Sequence, residues 1–235
     1  MLQRVLSSRG VGMELEEIMR TAFAARQFTG EPVPDRVLYR ILDNARFAPS
    51  GGNRQGWRVI IVRDPETRRA LRELVVPTLR LYLAQMQAGE NPFNTVVESS
   101  IDPTSISDLP VPDAMIDNVV EAPVLLVVCV DLSVVASFDS DLPKVGVISG
   151  ASIYPFVWNI LLAARNEGLG GALTTFVVGK EADAQDLLGL PTHLAVAAVL
   201  PIGRPVKQLT KLRRKRVEDF AMIDRWQGPT FGRGN

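Results

Sequence analysis

The sequence predicts one large domain in which amphipathic helices pack against buried strands. Two apolar runs, Val124 to Val130 and Leu194 to Leu200, are uninterrupted and rich in Val and Leu, the mark of strands buried on both faces. Other stretches repeat apolar residues at i, i+3, i+4 and i+7, the helical period. A turn, Ala48-Pro49-Ser50-Gly51-Gly52-Asn53-Arg54-Gln55-Gly56-Trp57, joins one of those helices to a strand, and the chain is organised around it.

Taken in order, the first dozen residues, rich in Ser, Gly and Arg, read as a loose N-terminal arm, residues 1–12. Met13 to Ala25 is expected to be helical, with Leu15, Ile18, Met19 and Ala22 as its stripe. After the Thr29-Gly30-Glu31 turn, Pro34 stands near the start of a second helix carrying Val37, Leu38, Ile41, Leu42 and Ala45 on one face. That helix must stop before Pro49, because proline pushes its predecessor out of the α region. Arg58 to Val62 is a short strand, and Asp64-Pro65-Glu66 opens a third helix towards Met86, with a break or kink expected at Pro77.

From Ala88 to Pro112 the pattern dissolves into a polar stretch punctuated by Gly89, Pro92, Pro103 and Pro110. A loop of that length in a compact domain is a functional lid or is disordered. Asp113 to Glu121 reads as a short helix. Ser149 to Glu167 is the most apolar helix, too apolar for a surface position, so it is central or lies in an interface. Pro155 either bends it or marks its start, and Gly168-Leu169-Gly170-Gly171 caps it. A helix from about Glu181 to Leu188 and the second buried strand complete the domain. Beyond Gly203, Arg204, Lys207, Lys211, Arg213, Arg214, Lys215 and Arg216 form a basic cluster with Leu209, Leu212, Val217 and Phe220 interleaved. Such a cluster suits a nucleic-acid or targeting patch, or a packed arm with an anion site; the interleaved apolar residues favour the arm.

The totals exclude several chemistries. The chain has 235 residues, of which 46% are hydrophobic and 22% charged, an ordinary globular balance. Lys+Arg and Asp+Glu both number 26, so no global field points to nucleic acid. Cys129 and His193 are the single cysteine and histidine, which leaves nothing for a His-rich zinc site or a His dyad. Cys129 reads as a small core residue, and His193 as a strand-edge residue rather than a catalyst. No apolar stretch reaches bilayer-spanning length, no signal peptide is visible, and the expected compartment is the cytoplasm. No GxGxxG follows a strand and no Walker A sequence is present. With so little nucleophile or acid–base material, the chemistry is expected to be borrowed from a cofactor. Its first candidate site is the Pro49 turn: small residues there leave backbone amides able to point at a flat or anionic ligand, unless it is an ordinary helix-to-strand turn.

Several stretches together resemble the FMN-dependent nitroreductase family. They are Arg26-Gln27-Phe28 with Pro32-Val33-Pro34; Ile41-Leu42 through Pro49-Ser50 to Asn53 and Gln55; Trp57; and the strand ending near Asp131. Asn159 to Ala164 leading to Gly168-Leu169-Gly170, and Val199-Leu200 running into Pro201-Ile202-Gly203-Arg204-Pro205, complete the set. The order and separations match over nearly the whole chain apart from residues 88–112.

The resemblance implies an α+β, three-layer sandwich with a mixed, mainly antiparallel sheet flanked by helices, built as an intertwined homodimer. It implies an FMN-binding domain over residues 13–203 with a lid at about 88–112, and an arm, 204–235, packing on the other subunit. The activity implied is ping-pong: NADPH or NADH reduces FMN, and a small-molecule acceptor such as a nitroaromatic or quinone then takes the electrons. No side chain need act as nucleophile, and neither nucleic acid nor membrane is an expected partner. Carried over residue by residue, Arg26 would face the FMN phosphate or ribityl chain, and Pro49, Ser50, Gly51 and Asn53 would lie along the ring or ribityl. Leu173, Thr174 and Thr175 would flank the ring, and Arg214 and Arg216 would bring charge to the phosphate.

Two departures from the family pattern stand out. Ala22 and Ala24 occupy positions where the family usually has an arginine and a serine on the phosphate. Two charge-assisted hydrogen bonds at about 1.5–3 kcal/mol each are worth roughly 10²–10⁴-fold in affinity, a loss the C-terminal cluster would have to offset. Gly56 stands where proline is common, which would loosen the turn. The same fold also hosts dehalogenases and flavin-fragmenting enzymes, and a protein that sequesters FMN without turnover is a further alternative.

Overall fold

The computed structural model describes residues 13–233, so the expected N-terminal arm lies outside the described residues. Four strands, β1 (Trp57–Ile61), β2 (Val124–Asp131), β3 (Gly170–Gly171) and β4 (Leu194–Gly203), form one sheet in the order β1-β2-β4-β3. All three pairings are antiparallel, with Val59 opposite Val128 and Leu126 opposite Leu200. A bulge at Val128/Cys129 interrupts the β2–β4 register. One parallel bridge, Ala24 to Gly171, makes the sheet mixed, as expected.

Among the described residues six α-helices flank it: α1 (Leu15–Thr21), α2 (Asp35–Ala45), α3 (Pro65–Gln87), α4 (Asn118–Glu121), α5 (Tyr154–Asn166) and α6 (Glu181–Leu188). Every residue of β2 is buried, and its alternation decides which layer each side chain joins. Leu126, Val128 and Val130 point to α2 and α5, where Ile41, Phe156, Val157 and Ile160 close the first core. Leu125, Val127 and Cys129 point the other way, to Leu71, Val75 and Leu79 of α3 and Ala184 of α6. The result is the expected three-layer sandwich. Trp57 stacks on Phe156 with ring centroids 4.8 Å apart, tying β1 to the α5 layer.

Several boundaries differ from the sequence expectation, each for a local reason. The helix expected over Met13 to Ala25 ends at Thr21, because Ala25 N donates to Gly171 O at 3.0 Å and draws the chain into an extended ribbon. Tertiary pairing there overrides the good helix propensity of alanine. Of the expected stripe, Ile18 and Ala22 are buried, while Leu15 and Met19 are exposed. Helix α3 is capped by the Asp64 carboxylate, which accepts from Thr67 N at 2.8 Å, and it is not broken at Pro77. Pro77 lies on the solvent side between the buried Val75 and Leu79, so the lost hydrogen bond faces water. The helix expected over Ser149–Glu167 divides at Ile153, and Pro155 sits in the first turn of α5, where its missing N–H costs nothing. The 113–121 stretch likewise divides into a 3-10 turn, Asp113–Met115, and the single turn of α4.

Residues 88–112 contain one 3-10 turn, Pro103–Ile106. The stretch is pinned to α3 by Gln85 Oε1, which accepts from Phe93 N at 3.0 Å, and by Arg80 Nε, which donates to Leu109 O at 3.0 Å. Within it, the Glu90 carboxylate accepts from Ser99 and Ser100. Beyond Pro205 the chain is largely exposed, with Val206, Val217, Phe220, Trp226 and Phe231 covered by little of their own subunit. Among the described residues, no helix is long and apolar enough to cross a membrane.

Candidate functional site: a two-part cleft beside the Ala22–Arg26 ribbon

The ribbon Ala22–Arg26 and the segment Gly170–Phe176 run side by side, and two hollows open along them, sharing Leu173. Gly171 makes the close approach feasible: a Cβ there would meet Pro201 O at 2.8 Å. Beyond it, Thr174 exchanges backbone hydrogen bonds with Val199 in both directions, at 3.1 and 2.8 Å, which fixes Leu173 and Thr175 at the rim.

The smaller hollow, about 160 Å³, gathers Arg26, Leu173, Thr174 and Thr175 with Asn118, Met115 and Phe176. Arg26 is exposed, its one hydrogen bond is a long contact from Nη1 to Ala24 O (3.4 Å), and no carboxylate pairs with it among the described residues. Asn118, at the start of α4, is only 8% exposed, yet its carboxamide has no hydrogen-bond partner among the described residues. The carboxamide lines the hollow, so its polar atoms are available to a ligand's polar edge. Phe176 meets Tyr82 edge-on at 5.5 Å, and Tyr82 in turn reaches Phe93, so the 88–112 excursion touches the same wall.

The larger hollow, about 270 Å³, is walled by Ala22, Phe23, Trp158, Leu161 and Leu173, with Arg165, Gln208 and Arg214 as its polar members. Arg214 donates only to Arg213 O, at 2.7 Å, whereas Arg216 is held by Asp219 (3.3 Å) and lines a separate, more open hollow with Arg20. Of the two arginines expected at one site, the structure brings only Arg214 to this cleft.

The Pro49–Asn53 turn lies elsewhere. It packs against the N-terminal end of α5, where Gly51 N donates to Ser152 Oγ at 3.1 Å. Its amides, expected to point outwards, are mostly spent internally: Asn53 N on Ser50 O (2.9 Å), Arg54 N on Gly51 O (3.3 Å) and Gln55 N on Ser50 Oγ (3.0 Å). Gly52, Asn53 and Gln55 all take positive φ to close these bonds. Gly56 does not loosen the turn either; a Cβ there would sit 2.9 Å from Val134 Cγ2, and Gly56 O accepts from Asp131 N at 2.7 Å. The turn is rigid. Thirteen residues of α5, about 20 Å of helix, stand between it and the end that carries Arg165.

Neither Cys129 nor His193 enters the cleft. Burial, with a smaller push from the Glu181 charge, raises the Cys129 thiol to about 11, which leaves it protonated and inert. His193 is exposed ahead of β4, and its carbonyl accepts from Leu132 N at 2.9 Å. The Asp131 carboxyl is held below the usual range first by the Ser133 hydroxyl, then by Ser133 N–H and the nearby His193 and Arg58. It closes the end of β2 and is not part of the cleft. Among the described residues, no group of His, Cys, Asp and Glu could hold a metal ion.

With this geometry in hand, the relatives are informative. The Nitroreductase family model matches residues 20–204, and the chain belongs to that family. It is 29% identical over 193 residues to a protein named NADH dehydrogenase from Thermus thermophilus, covering 78% of this chain and 82% of the relative. It is 26% identical over 212 residues to iodotyrosine deiodinase from Nematostella vectensis, covering 89% and 75%. A solved iodotyrosine deiodinase bound to FMN and 3-iodo-L-tyrosine superposes with a TM-score of 0.61 at 22% identity, over 87% of this chain and 96% of that one, which shows the shared fold.

Asn118, Arg165 and Gln208 were not among the sequence-derived candidates. Asn118 had a faint signal, a lone amide just before the buried strand. Arg165 had none, being one charge at the end of an apolar helix.

Proposed function

We propose that the protein is an FMN-dependent NAD(P)H oxidoreductase that works as a homodimer and reduces flat acceptors such as nitroaromatics or quinones by a ping-pong mechanism. The single observation that carries this reading is the cleft itself: unpaired Arg26 and Arg214 and the unpartnered Asn118 amide converge beside Leu173, Thr174 and Thr175. FMN asks for a cation at its phosphate, hydrogen-bond partners at its pyrimidine edge and apolar surface along its ring. The donor set fits that demand: Arg214 stands in the apolar hollow, and Arg26 and Asn118 in the polar one. When bound, FMN would supply the redox chemistry, accepting hydride from the nicotinamide and passing electrons to the acceptor. The chain's own residues bind and orient. Asn118 would donate to or accept from the ring edge, and Arg26 would hold negative charge in place. Thr174, tied to β4, would fix the rim against which the ring lies.

A second copy gives the Ser50 turn its part. Tyr154 and Trp158 leave the outer face of α5 apolar and 43% exposed at each, and Leu15 and Met19 do the same on α1. Two copies laid with their α5 helices antiparallel would carry the turn of one to the cleft of the other. Pro49, Ser50, Gly51 and Asn53 would then close the ring's site across the interface. The exposed apolar residues of the arm beyond Pro205 would wrap the second subunit, and residues 88–112 would cap the acceptor side.

The visible spectrum of the purified protein, with NADH and then NADPH added without air, tests the reading. A flavin band that bleaches is expected, and the nucleotide that bleaches it is the donor. A band that stays oxidised would instead mean storage of FMN without turnover. No flavin band, even after FMN is added, would end the proposal. A second reading, reductive removal of halide from a halogenated phenol, is favoured by the deiodinase relatives; halide release from such a substrate by the reduced protein would decide for it.

A further inference from the structure

We propose that Arg165 is the anchor for the anionic end of the ligand, standing in for the groups that Ala22 and Ala24 lack; this rests on the FMN reading. Arg165 sits in the last turn of α5 and lines the larger hollow together with those two alanines. Its Nε donates to Thr21 Oγ1 at 2.9 Å, and that hydroxyl donates to Glu17 O at 2.7 Å. The relay fixes the plane of the guanidinium while its two terminal amino groups have no partner among the described residues. A fork held in this way loses little freedom when it grips a phosphate.

Among the described residues no carboxylate pairs with Arg165: the exposed Glu17 side chain makes no bond to it, and two other neighbours are engaged elsewhere. Glu167, two residues on, is held by Arg40 at 2.6 and 3.1 Å, and Glu16 pairs with Arg20 at 2.8 Å. On the same hollow stands Arg214, which has no carboxylate either, while Gln208 Nε2 donates to Thr21 O at 2.9 Å and ties the arm to the site. Two guanidinia around a mostly apolar hollow, with no carboxylate lining it, repel one another unless an anion enters between them. Small side chains at 22 and 24 leave room for it. An arginine at 22 would place a third cation where Arg165 already reaches.

Titration of FMN and of riboflavin, followed by flavin fluorescence, tests this in wild type, Arg165→Ala and Arg165→Lys, since riboflavin is the same ring without the phosphate. Wild type should prefer FMN. Arg165→Ala should weaken FMN about ten- to a hundredfold while leaving riboflavin little changed, and lysine should restore part of the loss. Inorganic phosphate should compete with FMN in wild type and much less in Arg165→Ala. Thr21→Val, which keeps the charge and removes the orienting hydroxyl together with its bond to Glu17 O, should narrow the FMN-to-riboflavin ratio in the same direction, so the test survives if Arg165→Ala fails to fold. Adding Ala22→Arg to Arg165→Ala should recover FMN affinity. Wild-type binding of FMN with the same ratio in Arg165→Ala and in Thr21→Val would overturn the role of Arg165 and leave the FMN reading standing. Wild type that binds neither flavin would remove both.

Discussion

The two ends of α5 are built on opposite principles. At its N-terminal end the Ser50 turn closes on itself, its amides spent on Ser50 O, Gly51 O, Ser50 Oγ and Ser152 Oγ. At its C-terminal end the charges are left open: among the described residues Arg165, Arg214 and Arg26 bond only to a hydroxyl or a carbonyl and pair with no carboxylate, and the Asn118 carboxamide has no partner. A satisfied turn gives shape, and an unsatisfied cleft gives affinity. In the proposed dimer, a ligand gripped by the cleft of one subunit and shelved on the turn of the other would need both, and α5 is the spacer that keeps them apart within one chain.

That division can be broken most severely at the spacer. Tyr154→Glu puts a charge on the outer apolar face of α5, outside the cleft that Trp158 walls, and leaves the buried stripe of Phe156, Val157, Ile160 and Leu161 intact. The dimer dissociation constant is expected to rise at least about thirtyfold, with flavin lost in step, in sedimentation runs followed at protein and flavin wavelengths. A variant that stays dimeric and yellow would show that the interface lies elsewhere. Next in size, Arg26→Ala removes a charged group from the open end and should weaken FMN about ten- to a hundredfold in equilibrium titration. Asn118→Leu, which fills the same hollow without a polar edge, should cost about five- to tenfold in FMN affinity in the same titration. Unchanged affinity in Asn118→Leu would mean that the amide faces acceptor or solvent instead.

The contrast also explains what the sequence could disclose. β2 and β4 were legible because a strand buried on both faces must be apolar throughout, and α6 because its ends fall at a charge cluster and a glycine. Family membership was legible from the ordered set of Arg26, Pro49, Ser50, Asn53 and the 201–205 turn, since a resemblance reads spacing along the chain. The end of α1 at Thr21 was not, because a long-range pairing of Ala25 with Gly171, absent from any local pattern, decides it. Nor was the satisfaction of the Ser50 turn. Its key partner, Ser152, is a hundred residues away, and small residues in a turn look the same whether their amides are open or spent. Arg165 was invisible for a related reason: an isolated arginine at the end of an apolar helix acquires meaning only from Ala22, Ala24 and Arg214 around it.

The smallest expected effect is the one that tests the closed end. Ser152→Ala deletes a single acceptor, the one that takes the Gly51 amide at 3.1 Å, and leaves the turn's three internal bonds in place. If the turn is a preformed shelf, the loss is one ordinary hydrogen bond: about 1 kcal/mol of stability, or about 2–4 °C in Tm for a chain of this size. FMN affinity should then change little, because the shelf keeps its shape through Ser50 and the packing of Gly56 against Val134. If instead Tm holds and FMN affinity falls or rises by about tenfold, the Gly51 amide is exchanged between Ser152 and the ligand. The closed end would then be a switch that opens on binding, and the difference between the two ends of α5 would be one of state and not of construction.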